Sequence, residues 1–578
     1  MNRLFKIIIS LSLFTIFFTS FISAQTNEFE GTWNGMVDVG VVLPVVVHIK
    51  SINGKLAATL DSPDQNAYDI PVTEITTLGK KITVSVASIG AKFEGELSDD
   101  GKNISGTFTQ GGGNIPLELL KTETDEKPKT ETVYKSLWQG VLSISGMELR
   151  LVFKIYEAEG TLKVHLDSPD QGAKNIAGIV DYFNQDSVKF SFEAIKGWYA
   201  GNFSDETHLV GTWYQGPSEL KLNLEKTEKE IVVNRPQEPK PPYPYKEEEV
   251  TFKNEKADIT LAGTLTVPEG DEPFTAVVMV TGSGPQDRDE NIFDHKLFKV
   301  IADYLTRSNI AVLRFDDRGV GKSEGDFSKA ISTDFVSDAV SAVEYLSNRN
   351  DINSAKIGMM GHSEGGMIAP MAANESNKIS YIVLLAGPGT TGEQILIDQS
   401  RLILKAAGTS DSYLDKQDII LPKIYSIVKS EKNDSIATEK IAALYDEFYA
   451  QLTDEEKSEM GMDLQSIKKQ IPMILSPWFR YFIAYDPVPA LSKLKIPVLA
   501  LNGSKDLQVP ADANLAGIES ALKSSGNRDF KIVKLDGLNH LFQTAELGTP
   551  SEYGKIEETF SPKALEIIKD WILSVTSR

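Results

Sequence analysis

Two pentapeptides of the form G-x-S-x-G occur in the chain, Gly321-Lys322-Ser323-Glu324-Gly325 and Gly361-His362-Ser363-Glu364-Gly365. A serine between glycines is a candidate nucleophile where a strand enters and a helix leaves, because small neighbours let the backbone turn sharply and lift Oγ clear of the sheet. The pattern alone is weak, since roughly one chain in four of this length and glycine content would carry it by chance. Context separates the two. Lys356 to Met360 reads as a buried strand and Met367 to Ala373 as a helix of small residues, so Ser363 stands at a strand-turn-helix corner. Ser323 fails this test, because Asp316-Asp317-Arg318-Gly319-Val320 separates it from the preceding strand and Asp326-Phe327-Ser328 follows; it reads as a loop residue.

A serine hydroxyl attacks a carbonyl near neutrality only when a base takes its proton, and histidine has the suitable pKa. Of the six histidines, His48, His165 and His208 lie in the N-terminal β region, His295 follows a glycine-rich loop, and His362 sits on the corner and is expected to point elsewhere. His540 remains, just after the predicted strand Phe530 to Leu535. The acid that orients such an imidazole belongs at the end of a strand between serine and histidine. Pro497 to Leu501 is such a strand and leads into Asn502-Gly503-Ser504-Lys505-Asp506, which favours Asp506; Asp512, a helix cap, and Asp536, a turn residue, are reserves. The helix after Ser363 aims unpaired amides at developing negative charge, so Glu364 N–H is one expected oxyanion donor. Thr281-Gly282-Ser283-Gly284-Pro285 follows an earlier strand and offers the second, Ser283 N–H first and Gly284 as the fallback.

The elements that must hold these groups begin near Glu248. Apolar, β-branched runs at Ala276 to Val280 and Ile310 to Phe315 alternate with helical patterns at Phe298 to Leu305 and Phe335 to Leu346, which predicts a mostly parallel, doubly wound α/β sheet over residues 248–578. Between Gly389 and Tyr485 that rhythm gives way to polar, helix-favouring stretches such as Ser435 to Leu452 and Asp454 to Lys469, a helical cap over about residues 390–485. Ile471 to Leu475 with Trp478 and Phe479 are candidates for an acyl-binding wall or for plain cap core. Arg288 and Arg318, each beside aspartates, are expected to lace loops together, and Asp316 occupies the position where a phosphate-binding loop would need glycine.

Five segments together resemble the α/β-hydrolase superfamily, and within it secreted bacterial carboxylesterases of the serine-aminopeptidase-like group. They are Gly282 to Asp289, Phe315 to Ser323, Gly361 to Gly366, Gly503 to Asp506 and Leu538 to His540. The resemblance covers residues 248–578 and implies Ser363, Asp506 and His540 as a catalytic triad for ester hydrolysis. Thr281 departs from the histidine that many relatives carry before the oxyanion-loop glycine.

Upstream, the chain repeats itself. Gly31-Thr32-Trp33-Asn34-Gly35 returns as Ser136-Leu137-Trp138-Gln139-Gly140, Leu60 to Gln65 (L-D-S-P-D-Q) as Leu166 to Gln171, and Gly106 to Gly111 as Gly211 to Gly216, a period of about 105 residues. Short alternating stretches broken by Asn-Gly, Asp-Gly and Gly-rich turns predict two all-β small-barrel modules, residues 28–122 and 132–227. Lys121 to Glu131 is a charged join between them. The D-S-P-D-Q segments read as tight turns rather than calcium or sugar sites. Trp33, Trp138, Trp198 and Trp213 read as core rather than sugar-stacking platforms. Five prolines from Pro236 to Pro244 predict a semi-rigid polyproline spacer at residues 228–247.

Arg3 and Lys6 before the uncharged run Ile7 to Ile22, closed by Ser23-Ala24-Gln25, predict a secretory signal peptide over residues 1–24; Ile22, three residues before the cut, leaves an uncleaved anchor as the alternative. The chain is thus expected to be exported, periplasmic or extracellular, with no stable membrane insertion after cleavage. A formal charge of −22 repels phosphate backbones and makes nucleic acid an unlikely class of partner. The absence of cysteine removes thiolate metal sites and a cysteine nucleophile. No metal or organic cofactor is implied, the expected partner is a small acyl-ester substrate, and oligomeric state is not legible. Two other readings stand beside the esterase: a serine aminopeptidase or other amide or thioester hydrolase on the same triad, and a polymer- or ligand-binding protein with an inactive hydrolase domain.

Overall fold

A computed structural model describes residues 28–38, 42–52, 55–62, 67–86, 91–110, 113–122, 134–144, 147–158, 160–171, 173–216, 218–229, 234–460 and 464–577. The proposed signal peptide and most of the charged join lie outside the described residues. Residues 1–132 and 133–578 fall into two compact units.

In the first unit nine antiparallel strands between Gly31 and Thr122 form one sheet around a core that includes Trp33, Val47, Ile82, Phe93, Ile104 and Leu119. Alternation drives it: Lys81–Val86 and Ala91–Leu97 bury every second side chain, as a sheet with one apolar face requires. Its two end strands, Ala67–Pro71 and Glu74–Leu78, share no ladder among the described residues, and the sheet takes the barrel-like form expected of this module, with the Val72 amide between them donating to Ala58 O at 3.1 Å.

The second unit opens with a closed eight-stranded antiparallel barrel from Tyr134 to Thr227. Trp138, Phe153, Phe190, Phe192, Tyr199 and Trp213 fill its interior. Trp33, Trp138 and Trp213 are thus core residues, as their size in so small a barrel demands. Trp198 is different. It lies on the outer face, stacked on its cross-strand partner Tyr214 at 3.7 Å with Lys189 Nζ 5.0 Å from the ring. The segment Leu166 to Gln171 ends in a 3-10 turn over Pro169–Gln171, where the buried Asp170 carboxylate accepts the Arg150 amide and pairs with its guanidinium. Asp170 also packs against Gly554 of the C-terminal domain.

The proline-rich stretch is a strap rather than a free spacer. Arg235 donates to the main-chain carbonyls of Phe293, Asp294, Gly554 and Ile556, Gln237 bonds the backbone of Thr559 and Phe560, and Glu238 pairs with Lys296 and Lys299. Proline rings restrict the chain's freedom before docking, so holding it down costs little further entropy.

The C-terminal domain carries eight strands: β1 (Tyr245–Asn254), β2 (Ile259–Pro268), β3 (Phe274–Val280), β4 (Ile310–Phe315), β5 (Ile352–His362), β6 (Ile379–Leu385), β7 (Val498–Gly503) and β8 (Phe530–Leu535). Their order in the sheet is β1-β2-β4-β3-β5-β6-β7-β8, with β1 and β2 antiparallel and β3 to β8 parallel. The central strands are apolar throughout because both faces are covered. Ala276, Val278 and Val280 pack with Val336, Ala339, Ile368, Leu515 and Ile518 on one face, while Val277 and Met279 pack with Phe298, Ile301, Leu305, Ile568 and Ile572 on the other. Between β6 and β7 a run of helices from Gly392 to Leu491 has its own core of Leu414, Ile424, Val428, Ile441 and Ile471. No helix among the described residues is long and apolar enough to cross a membrane.

Candidate active site

The loops that leave the carboxyl ends of β3, β5, β7 and β8 converge, the place where open α/β sheets bind ligands. β5 ends at His362 and the next helix runs Gly365–Glu375, so the chain reverses within two residues. Ser363 takes up φ +53°, a left-handed conformation unusual for a residue with a Cβ. Two contacts explain the surrounding glycines: a Cβ on Gly361 would lie 1.9 Å from the Gly365 carbonyl oxygen, and one on Gly365 would lie 2.1 Å from that of Val280. Ser363 N–H bonds Leu385 O at 2.8 Å, which fixes the corner to β6 and leaves Oγ without a partner among the described residues.

His540 Nδ1 lies 2.8 Å from Asp506 Oδ2, with both side chains buried. The other Asp506 oxygen accepts the amides of Gln508 and Val509 at 2.8 Å each, so the carboxylate is fixed before it meets the imidazole. Nε2 of His540 makes no hydrogen bond among the described residues. The loop that carries it is braced by Asn539, whose side chain accepts the amides of Leu541 and Gln543. Asp512 and Asp536 are occupied elsewhere, the first with Lys534 at the surface and the second with Ser504.

Beside the serine corner, Glu364 N–H is one of the unpaired amides at the start of the Gly365–Glu375 helix among the described residues. In the β3 loop the Gly282 amide is already taken by Glu290 Oε1 at 2.7 Å, whereas Ser283 and Gly284 donate to nothing among the described residues. Asp317 staples both ends of that loop, accepting from Thr281 Oγ1 at 2.8 Å and Gln286 N at 3.0 Å. Burial pushes its carboxyl up to about 8.

The G-x-S-x-G at Ser323 is structural, with Oγ donating to Asp316 O and accepting from Ala262 N. His295 is enclosed by Thr559, Tyr553 and Gln543, and burial pulls it down to about 4. Arg288 holds Asp316 and Glu249, and Arg318 holds Asp338. No group of three His, Cys, Asp or Glu side chains among the described residues could hold a metal ion.

The family model described as serine aminopeptidase, S33, matches residues 294–430. Esterase EstD of Thermotoga maritima is 30% identical over 311 residues, covering 52% of this chain and 63% of the relative. The uncharacterized protein YfhR of Escherichia coli O157:H7 is 27% identical over 154 residues, covering 23% and 53%. This chain spans less than two thirds of the length of either relative, and the family match falls within its C-terminal α/β domain, residues 245–578. Solved structures similar to it include an esterase of Pyrococcus furiosus (15% identity, TM-score 0.37, 59% of this chain and 98% of that one) and Est1E of Butyrivibrio proteoclasticus with ferulic acid (16%, 0.33, 57% and 100%).

Several contacts of the C-terminal domain leave no mark in the sequence. Glu364, singled out for its amide, also uses its buried carboxylate: it accepts from Ser332 Oγ at 2.6 Å and from Trp478 Nε1 of the cap at 2.9 Å. Trp478 joins Met367, Ile395, Phe482 and Val509 in a cluster bridging the cap, the nucleophile helix and the Asp506 loop. Ile471 and Leu475 instead fill the cap's core, and Met473 faces solvent. Glu290, fully buried, bonds His362 Nδ1 at 2.9 Å, and His362 Nε2 reaches His540 O at 3.0 Å. His362 therefore points into the site's framework, contrary to the expectation that it turned away. A run of charges, Asp287 to Glu290, hides Glu290 in the sequence, and nothing in its type or spacing marks it as buried.

Proposed function

We propose that this chain is an exported serine hydrolase that cleaves carboxylic esters through an acyl-enzyme. Ser363 Oγ attacks the ester carbonyl and passes its proton to His540 Nε2. Asp506 holds the Nδ1–H tautomer and stabilises the imidazolium that forms. Glu364 N–H and Ser283 N–H, or Gly284 N–H, face the developing oxyanion. The alcohol departs with the proton from His540, and water, activated by the same imidazole, releases the acid. The observation that carries this reading is the Asp506–His540 bond at 2.8 Å, formed between two strand-end loops and hung beside a serine corner with left-handed geometry. The bridging cluster with Trp478, Phe482, Met367 and Val509 is the apolar surface proposed to receive the acyl chain.

The aminopeptidase alternative needs a carboxylate that stays charged to hold a substrate ammonium. The buried carboxylates near the corner do not suit: Glu364 is pushed above the usual range by burial and is bonded to Ser332 and Trp478, Asp317 is pushed up to about 8, and Glu290 is fully buried and already engaged by His362 and the Gly282 amide. Ester hydrolysis is therefore preferred, in keeping with the name of the Thermotoga relative. A fluorophosphonate should label Ser363, and Ser363→Ala or His540→Ala should abolish labelling; label elsewhere or none removes the enzyme reading. Nitrophenyl esters should turn over faster than aminoacyl anilides, and the reverse order would favour the peptidase. Export is tested by the mature N-terminus, expected at Gln25.

A further inference from the structure

His362 and Glu290 form a buried pair beneath three of the four converging loops, those after β3, β5 and β8. Both ring nitrogens of His362 face acceptors, the Glu290 carboxylate at 2.9 Å and the main-chain carbonyl of His540 at 3.0 Å. A carbonyl cannot donate, so Nε2 carries a proton. A bare Nδ1 lone pair held against a carboxylate oxygen in a site closed to water would be repulsive, which places a second proton between His362 and Glu290. Burial alone would lower the affinity of this imidazole for its proton, yet the Glu290 carboxylate beside it raises its pKa above the ordinary histidine value. The groups facing the pair are Asp506 through His540, and Asp317 beyond Glu290.

The pair's bonds reach each working part. His362 is the residue before Ser363, its Nε2 fixes the backbone of His540, and Glu290 Oε1 takes the Gly282 amide, which turns the following amides of Ser283 and Gly284 loose for an oxyanion. Glu290 itself holds φ +48°, a conformation that a side chain adopts at a cost. Ser363 Oγ and His540 Nε2 come from separate loops with no bond between them among the described residues, so something else must set their separation.

We propose that His362 and Glu290 are positioning residues, a buried ion pair that sets the Ser363–His540 separation and the orientation of the oxyanion loop. The proposal rests on the triad reading above. It matters for rate because a misplacement of about 1 Å costs as much as about 100-fold in turnover. It also matters for charge: His540 becomes an imidazolium during turnover next to His362, at a ring separation of 4.9 Å, and Glu290 cancels the like charge beneath it.

The test uses the full mature chain, with sites counted by fluorophosphonate titration. His362→Gln is expected to lower kcat per titrated site by about 10- to 100-fold with KM within about two-fold of wild type. The acid limb of kcat/KM should move up in His362→Gln, which leaves Glu290 uncompensated, move down in Glu290→Gln, and return toward wild type in the double variant. Single variants whose kcat per site and acid limb both match wild type overturn the proposal. A loss explained wholly by fewer titratable sites, with unmoved limbs, overturns it too, because that is what a merely structural role would produce. Nitrogen-15 spectra of histidine-labelled wild-type protein give a readout free of activity and of variant folding: His362 should show two protonated ring nitrogens, and a bare Nδ1 sinks the ion pair. Failure of the triad reading looks different, with no label on wild-type Ser363 while the His362 signal stays doubly protonated.

Discussion

The proposed triad of Ser363, His540 and Asp506 divides one task by what each side chain can hold. Asp506 is bound by two amides and one imidazole, so its charge and orientation are set before substrate arrives. Asp506→Asn keeps the shape and reverses the tautomer preference of His540; kcat toward nitrophenyl esters should fall by about 10⁴ with the fold intact, as checked by steady-state kinetics and circular dichroism. Asp317 makes a pH prediction. Its folded-state pKa is raised from 3.8 to about 8 by burial, so the folded protein keeps a proton that the unfolded chain loses near pH 4. The stabilisation linked to that proton is fully present below pH 3.8 and is lost as pH rises through about 8. Relative to wild type, Asp317→Asn should gain stability steadily between those values and level off above them, read as the difference in urea midpoints across a pH series.

The strand-turn-helix corner works because β5 and the nucleophile helix approach to backbone contact. A methyl group on Gly365 would meet the Val280 carbonyl at 2.1 Å, main chain that cannot yield without moving β3. Gly365→Ala should therefore cost about 3 kcal/mol or more in stability, or leave the protein insoluble, in a denaturation series against wild type. The cap helix Pro477–Ala484 is latched by Trp478 Nε1, which donates to both oxygens of the Glu364 carboxylate. Trp478→Phe keeps the apolar ring and removes the donor, leaving Ser332 as the remaining side-chain partner of a buried carboxylate. The expected result is a several-fold change in KM for long-chain esters, a smaller change for acetate esters, and a stability loss of about 1–3 kcal/mol.

At the scale of the whole molecule, the second β module and the C-terminal domain fall in one compact unit, and the strap between them is held to the domain at Arg235, Gln237 and Glu238. Arg235 is its anchor, satisfying four carbonyls of the domain while its own pKa is pulled down to about 10 by burial. Arg235→Ala strands those carbonyls and should lower the unfolding midpoint by about 2 degrees, an effect of about 2 kcal/mol, with kcat per titrated Ser363 unchanged. Scanning calorimetry with active-site titration checks both halves of that statement.

Local chemistry made much of this protein legible from its residues. Alternation against continuous apolar runs separated the β modules from the α/β sheet, because a half-covered strand and a doubly covered strand carry different periods. The glycines around Ser363, and the strand-end placement of Asp506 and His540, follow from chain order and sterics within a few residues. Contacts between residues far apart in sequence left no such mark. That Glu290 is buried under His362, that Glu364 reaches Trp478 across the cap, and that Arg235 lies against the domain depend on where loops from different strands come to rest. Trp198 could equally have been core or surface, since its neighbours in sequence are the same either way, and only the barrel's closure turned it outward. Sequence patterns report the environment of a strand or helix; which charged side chain finds a partner across it is decided by packing.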